Sequence, residues 1–136
     1  MKDPTHWLYR FTAREWIKIA LQEIDRADAA YASRDRKGGM ATCRRAAGMG
    51  INAAMVAGAV TEERYGRSYM DHVVALAHDE SAPQAVRDAA KLLAETPLPG
   101  AELILLRTSN TDQKFVEATK DIVAHSYALV LKSEPA

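Results

Sequence analysis

The sequence has little cysteine, no net charge and no long apolar run. Its single cysteine, Cys43, cannot form an internal disulfide, which suits a reducing environment and a buried thiol. Lysine plus arginine equals aspartate plus glutamate, 18 against 18, so nucleic-acid binding would need a local basic patch. No segment reaches the roughly 20 apolar residues that span a bilayer, and residues 1–10 lack the apolar stretch of a signal peptide. We therefore predict a cytoplasmic protein that does not cross a membrane.

Motifs for the common cofactors are also missing. The glycines of Gly48-Met-Gly50 lie inside a predicted helix rather than between a strand and a helix, so they do not form a phosphate-binding loop. Glu117, Asp121 and His125 share one helix face, but no Glu-x-x-His partner occurs on another helix, and we expect that face to be solvated. The sequence thus predicts neither a metal site nor a cofactor.

The composition indicates one globular domain built from helices. Of the 136 residues, 48% are hydrophobic and 26% are charged, and there is no internal repeat. Apolar residues recur at helical spacing, so we predict an all-α fold, an up-down bundle of four longer helices plus one short helix. It forms a single domain, residues 1–136, with an N-terminal arm at 1–11 and an extended connector at 97–110 that contains the Leu103–Leu106 run.

Local signals predict the helix ends. Thr12 and Glu15 have the spacing of a capping box that opens the first helix, and Ser68 and Asp71 open the third in the same way. Residues 33–39, rich in glycine and basic side chains, are expected to separate the first two helices. The other expected caps are Ser81 or Ala82, followed by Pro83 in the first turn, for the fourth helix and Asn110 or Thr111 for the last.

The chain is organised around the predicted helix Met40–Val60. From Ala46 onward almost every residue is apolar or small, so this helix has no water-facing side and is expected at the centre of the bundle. Gly48, Gly50 and Gly58 each cost up to about 1 kcal/mol of helix propensity relative to alanine. Such a cost suggests that neighbouring helices approach the backbone closely.

Arg45 and Asn52 form a polar notch in this apolar helix, because residues seven apart share a face and Gly48 leaves a gap between them. In one interpretation the notch binds an anion or a polar ligand. In the other, Arg45 pairs with an acidic residue of another helix and Asn52 bonds a chain reversal. The second is favoured, because buried polar groups are usually satisfied within the protein.

A polar, aromatic segment, residues 61–72, follows the central helix, and any chemistry is expected here. Its first part, residues 61–66, is predicted to form a turn. Its tyrosines could stack on bases and its arginines could contact phosphate. Alternatively, Ser68 and Asp71 only cap a helix and the histidine packs at its first turn. The candidate residues are Arg64, Tyr65, Arg67, Tyr69 and His72.

The helix order and one pattern resemble a known superfamily. The first helix carries W-x-x-x-A-x-x-E-x-x-R-A, at Trp16, Ala20, Glu23, Arg26 and Ala27. With a long alanine-rich second helix and a histidine near the start of a short third helix, the layout resembles the HEPN superfamily of small helical bundles over most of the chain.

The HEPN resemblance implies a possible chemistry. Many HEPN proteins are metal-independent ribonucleases whose signature is an arginine followed four to six residues later by a histidine, and Arg67 and His72 have that spacing. By that resemblance His72 would act as general acid or base and Arg67 would stabilise the phosphorane, in a site completed across a dimer.

Two functions remain open from the sequence. The first is a dimeric binding or interaction module for a nucleotide, RNA or a protein partner, supported by the apolar arm and the Leu103–Leu106 run. The second is a metal-independent endoribonuclease that uses Arg67 and His72, which must then be exposed in one concave site. Binding is favoured, because Ser68 follows Arg67 where catalytic HEPN motifs most often have Asn, Asp or His, and because the motif lies in mid-chain.

Overall fold

The chain folds as an all-α helical bundle. A computed structural model describes residues 6–96 and 109–135, so the Leu103–Leu106 run and nearly all of the predicted connector lie outside the described residues. No strand occurs in these two ranges, and none of their helices combines the length and apolarity that crossing a membrane requires. The elements are the 3-10 helix η1 (Trp7–Arg10) and the helices α1 (Ala13–Ala32), α2 (Arg36–Val56), α3 (Glu62–Tyr65), α4 (Tyr69–Ala77), α5 (Gln84–Glu95) and α6 (Ser109–Ser133).

Helix α2 lies at the centre of the bundle, as its composition predicts. It packs against α1, α4 and α6, and every residue from Ala46 to Met55 except Met49 is buried. Helix α5 packs on α4 and α6, and α6 also packs on α1. Because apolar burial is the main favourable contribution to folding, this central helix fixes the positions of the elements that surround it.

Two predicted helix caps are confirmed. Thr12 Oγ1 accepts from the Glu15 amide at 3.1 Å, and the Glu15 carboxylate accepts from the Thr12 amide at 2.9 Å, which completes the capping box. Ser68 Oγ accepts from the Asp71 amide at 3.0 Å at the start of α4. These bonds satisfy backbone donors that have no partner within a helix, so both helices begin where the sequence places them.

The central helix begins earlier than predicted, at Arg36. Asp35 caps it, with Oδ1 accepting from the Gly38 amide at 2.9 Å. The prediction that residues 33–39 form the break was wrong for its second half, because an aspartate cap outweighs the poor helix propensity of Gly38 and Gly39.

The central helix also ends earlier than predicted, at Val56 rather than Val60. Gly58 has a φ of 81°, a left-handed conformation that glycine adopts without steric cost. The amides of Gly58 and Ala59 donate to carbonyls of the last turn at 3.0 and 2.9 Å, which is the Schellman arrangement. Gly58 is therefore the helix stop and not one of its packed positions.

Three other boundaries differ slightly from the prediction. Pro83 is the N-cap of α5, with an extended ψ of 148°, rather than a first-turn residue. The expected turn at 61–66 contains the one-turn helix α3, which ends where Gly66 takes a φ of 73°. Helix α6 begins at Ser109, just before the expected caps.

The described part of the N-terminal arm packs on the bundle of the same chain. Leu8 is buried, and its carbonyl accepts from Trp16 Nε1 at 2.8 Å. Trp7, Tyr9 and Phe11 are partly buried against the core. The arm therefore brings η1 to the end of the bundle where α3 and α4 begin.

Candidate functional site

His72 is fully buried, with 0% of its surface exposed. Its Nδ1 lies 2.7 Å from the carbonyl oxygen of Tyr65, and its Nε2 lies 2.8 Å from Asn52 Oδ1. The Tyr65 carbonyl only accepts hydrogen bonds, so Nδ1 carries the proton of the neutral ring. Nε2 of that ring can only accept, so it bonds Asn52 when the amide is turned over to present Nδ2, which has no other partner among the described residues. Burial lowers the pKa of His72, which keeps the ring neutral.

Arg67 faces solvent, with 70% of its side chain exposed, and its Nε lies 2.7 Å from Glu62 Oε1. The predicted catalytic pair therefore does not share one exposed concave site, because His72 points into the core. Arg67 and His72 have the i to i+5 spacing in the sequence, but spacing alone does not say which side of α4 faces the core, and Arg67 lies just before that helix.

Arg45 and Asn52, the two residues of the predicted notch, contact different partners. Arg45 Nε lies 2.7 Å from Glu23 Oε2, while Asn52 bonds His72 in the core. Glu23 is 3% exposed and also accepts from Arg26 Nη1 at 2.6 Å. The pairing of Arg45 with an acid of another helix follows the favoured interpretation, but Asn52 bonds a side chain rather than a chain reversal.

Tyr65 and Arg64 converge on the buried Asp79. The Tyr65 hydroxyl donates to Asp79 Oδ2, Ser81 Oγ donates to Asp79 Oδ1 at 2.6 Å, and Arg64 Nη2 lies 3.5 Å from Oδ1. Burial by itself would raise the pKa of Asp79, but these hydrogen bonds and the Arg64 charge outweigh it, and the pKa is lowered. Tyr65 is 3% exposed, so the expectation that its ring stacks on a base does not fit its position.

Arg67 and Tyr69 line the same surface pocket. The pocket has a volume of about 300 Å³, and the described residues that line it are Trp7, Arg67, Ser68 and Tyr69. We call it the Trp7–Tyr69 pocket. Arg64 instead lines a different pocket on the surface of α3 and α4, together with Met70 and Val74.

Each aromatic wall of the Trp7–Tyr69 pocket is held by packing. The Tyr69 ring lies directly on Gly48, where a Cβ atom would be 2.5 Å from Tyr69 Cβ and 2.7 Å from its Cγ. Trp7 packs edge-on against Trp16, with ring centroids 6.4 Å apart. Gly48 is thus required for the approach of a side chain from α4, in agreement with the close approach predicted from the glycines of α2.

Glu62 contacts Arg67, which lines the pocket, and His6, which precedes Trp7 in the arm. Its carboxylate contacts Arg67 Nε and also lies 3.1 Å from His6 Nε2. His6 in turn caps η1, since its Nδ1 accepts from the Leu8 amide at 3.0 Å. Because Nδ1 is an acceptor, Nε2 is the protonated nitrogen and donates to Glu62.

Sequence reasoning missed Trp7, His6 and Glu62 as site residues. Trp7 was assigned only to an apolar arm and Glu62 only to a turn. Nothing in the sequence connects His6 and Trp7 with Arg67, because α1 and α2 separate the arm from this segment in the chain. Glu62 lies in the same segment as Arg67, but the spacing of the two residues does not show that their side chains meet. The one signal in the sequence was Trp7 itself, because a large apolar side chain in an N-terminal arm has to pack against another part of the protein.

No protein-family model, no curated protein and no solved structure matches this chain.

Proposed function

We propose that this protein is an HEPN-like binding module that takes a nucleoside phosphate, free or as part of single-stranded RNA, in the Trp7–Tyr69 pocket. One observation carries the proposal: two of the residues that the sequence singles out for phosphate and base contact, Arg67 and Tyr69, line the same pocket as Trp7. Its volume of about 300 Å³ is at the small end of ligand pockets, which suits one nucleotide unit.

The lining residues supply the two kinds of contact that a nucleotide needs. Aromatic faces such as those of Trp7 and Tyr69 stack on bases, at about 1–3 kcal/mol per base. Arg67 presents a planar set of N–H donors that matches phosphate oxygens, and the Ser68 hydroxyl can donate to a ligand oxygen. Burial raises the pKa of Tyr69, so its phenol also remains a donor at neutral pH.

The alternative, a metal-independent endoribonuclease, receives less support. It needs His72 to exchange a proton with the substrate, yet His72 is 0% exposed and both of its ring nitrogens already have partners. A general acid or base must reach the reacting group within hydrogen-bond distance. Arg67 alone can bind a phosphate, and binding is therefore the better proposal.

A homodimer and a cytoplasmic location belong to the same proposal, as does contact with a protein partner. The Leu103–Leu106 run of the sequence supports an apolar contact with another chain. The cytoplasmic location is supported by Cys43, a free, buried cysteine of the kind that a reducing compartment maintains. Burial raises the pKa of its thiol, which keeps the thiol protonated and unreactive.

Calorimetric titration with AMP and fluorescence anisotropy with a short labelled single-stranded RNA test the proposal. Arg67→Ala should weaken AMP binding about tenfold, or ~1.4 kcal/mol. Arg64→Ala is the matched control, because Arg64 is similarly exposed and also paired with an acid but lies outside the pocket; it should change affinity by less than about twofold.

Two results would overturn the proposal: wild-type protein that binds neither AMP nor RNA, or equal losses in the two arginine variants. The same RNA, incubated in EDTA, tests the ribonuclease alternative. Cleavage that disappears in both Arg67→Ala and His72→Ala, with both variants folded, would establish the alternative instead.

A further inference from the structure

Glu62 is the only acidic side chain that contacts Arg67 in the part of the chain described, residues 6–96 and 109–135. Among the described residues, Arg67 is in turn the only charged one that lines the Trp7–Tyr69 pocket. The contact joins Arg67 Nε and Glu62 Oε1, which lie 2.7 Å apart, and the guanidinium has further N–H donors on its two terminal nitrogens. A ligand phosphate can therefore meet Arg67 without displacing Glu62.

The negative charge of Glu62 nevertheless remains next to any phosphate that Arg67 holds. An anion on Arg67 would lie within a few ångströms of the Glu62 carboxylate, well inside the screening length of about 8 Å at physiological salt. Repulsion grows with the charge of the ligand, because the Coulomb energy is proportional to the product of the two charges. Glu62 thus penalises a phosphate of low charge less than a polyphosphate, and it offsets the greater attraction that Arg67 exerts on the more highly charged ligand.

We infer that Glu62 sets the charge preference of the Trp7–Tyr69 pocket, selecting nucleotide units of low charge, such as a monophosphate or an internal phosphodiester, over nucleoside polyphosphates. This inference rests on the proposed function and names the ligand class of the same site. Glu62 does so while holding Arg67 in place and bonding His6, which caps the helix that carries Trp7. It is a positioning and specificity residue.

Glu62→Gln separates the charge of this side chain from its geometry. The amide oxygen of glutamine can still accept from Arg67 Nε and from His6 Nε2, whereas the negative charge is removed. Glu63→Gln is the matched control: Glu63 is the exposed neighbour, loses the same charge, and lines the other pocket with Arg64. Both variants should fold as the wild type does, which circular dichroism and thermal unfolding check.

The test measures the affinities of AMP, ADP and ATP in EDTA, so that no metal masks the phosphate charge. Wild-type affinity should not rise from AMP to ATP. Glu62→Gln should strengthen AMP binding about threefold and ATP binding about tenfold, whereas Glu63→Gln should change each affinity by less than about twofold. Adding Arg67→Ala to Glu62→Gln should remove the gain.

The possible failures are distinguishable. If neither wild type nor Glu62→Gln binds any of the three nucleotides or the labelled single-stranded RNA, the proposed function fails. If the wild type binds them through Arg67 but Glu62→Gln and Glu63→Gln respond alike, or Glu62→Gln changes all three affinities by the same factor, the charge preference is overturned and the binding site stands.

Discussion

The side chains of Asn52 and His72 meet in the core of the bundle, where 2.8 Å separates the Asn52 amide from His72 Nε2. Both residues are 0% exposed. Through Nδ1, His72 also bonds the Tyr65 carbonyl at the end of α3. One histidine thus links α2, α3 and α4 by hydrogen bonds.

His72→Ala should lower the free energy of unfolding by about 2–4 kcal/mol, because it leaves a cavity and removes two buried hydrogen bonds. Urea denaturation measures the loss. His78→Ala is the control, since it deletes an exposed histidine from the end of the same helix and should cost less than about 0.5 kcal/mol. Equal costs for the two substitutions would refute the structural role of His72.

Stability should fall as the pH drops from about 7.5 to 5.5. Burial lowers the pKa of His72 in the folded protein, and burial lowers that of His125 as well. In the unfolded chain both titrate near their ordinary value of about 6.5, so below that pH the unfolded state binds protons that the folded state does not, which favours unfolding. His72→Gln should flatten the dependence measured by urea denaturation at each pH. The same slope in His72→Gln and wild type would contradict this prediction, and His125→Gln measures the share of the second histidine.

Gly48→Ala should destabilise the bundle by about 1–3 kcal/mol, although alanine favours helix, because its Cβ would collide with the Tyr69 ring. Gly50→Ala is the control in the same helix: its Cβ would lie 3.2 Å from Val123 Cγ2, a milder contact. In a Tyr69→Gly background, which removes the Cβ atom as well as the ring, Gly48→Ala should become neutral or stabilising. A double-mutant cycle without such coupling would show that Tyr69 does not rest on Gly48.

Glu23 should tolerate the loss of either arginine partner but not of both. It is 3% exposed and contacts both Arg26 and Arg45, so one substitution leaves a counter-charge in place. The double variant Arg26→Ala/Arg45→Ala leaves a buried carboxylate without one. Its loss of stability, from chemical denaturation, should exceed the sum of the single losses by about 0.5–3 kcal/mol. Additive losses would show that Glu23 does not depend on this pair.

Several features of the fold could be read directly from the sequence. The capping residues Thr12 and Ser68 predict two helix starts, because the side-chain oxygen of each accepts a hydrogen bond from a backbone amide three residues later, in the first turn of the helix. The apolar stretch from Ala46 predicts the central helix, because a helix without a polar face must be surrounded. These features depend on residues within one or two turns of each other, and local chemistry determines them.

The tertiary structure alone decided the site. The spacing of Arg67 and His72 is compatible with a shared site, but packing on α2 turns His72 toward Asn52 and leaves Arg67 in solvent. Likewise, only the fold brings Trp7 to Tyr69. Which side of a short helix faces the core depends on the apolar surface that its neighbours offer, and that surface comes from distant parts of the chain. The sequence determined the helices and the candidate residues, and the packing between helices selected those that lie together.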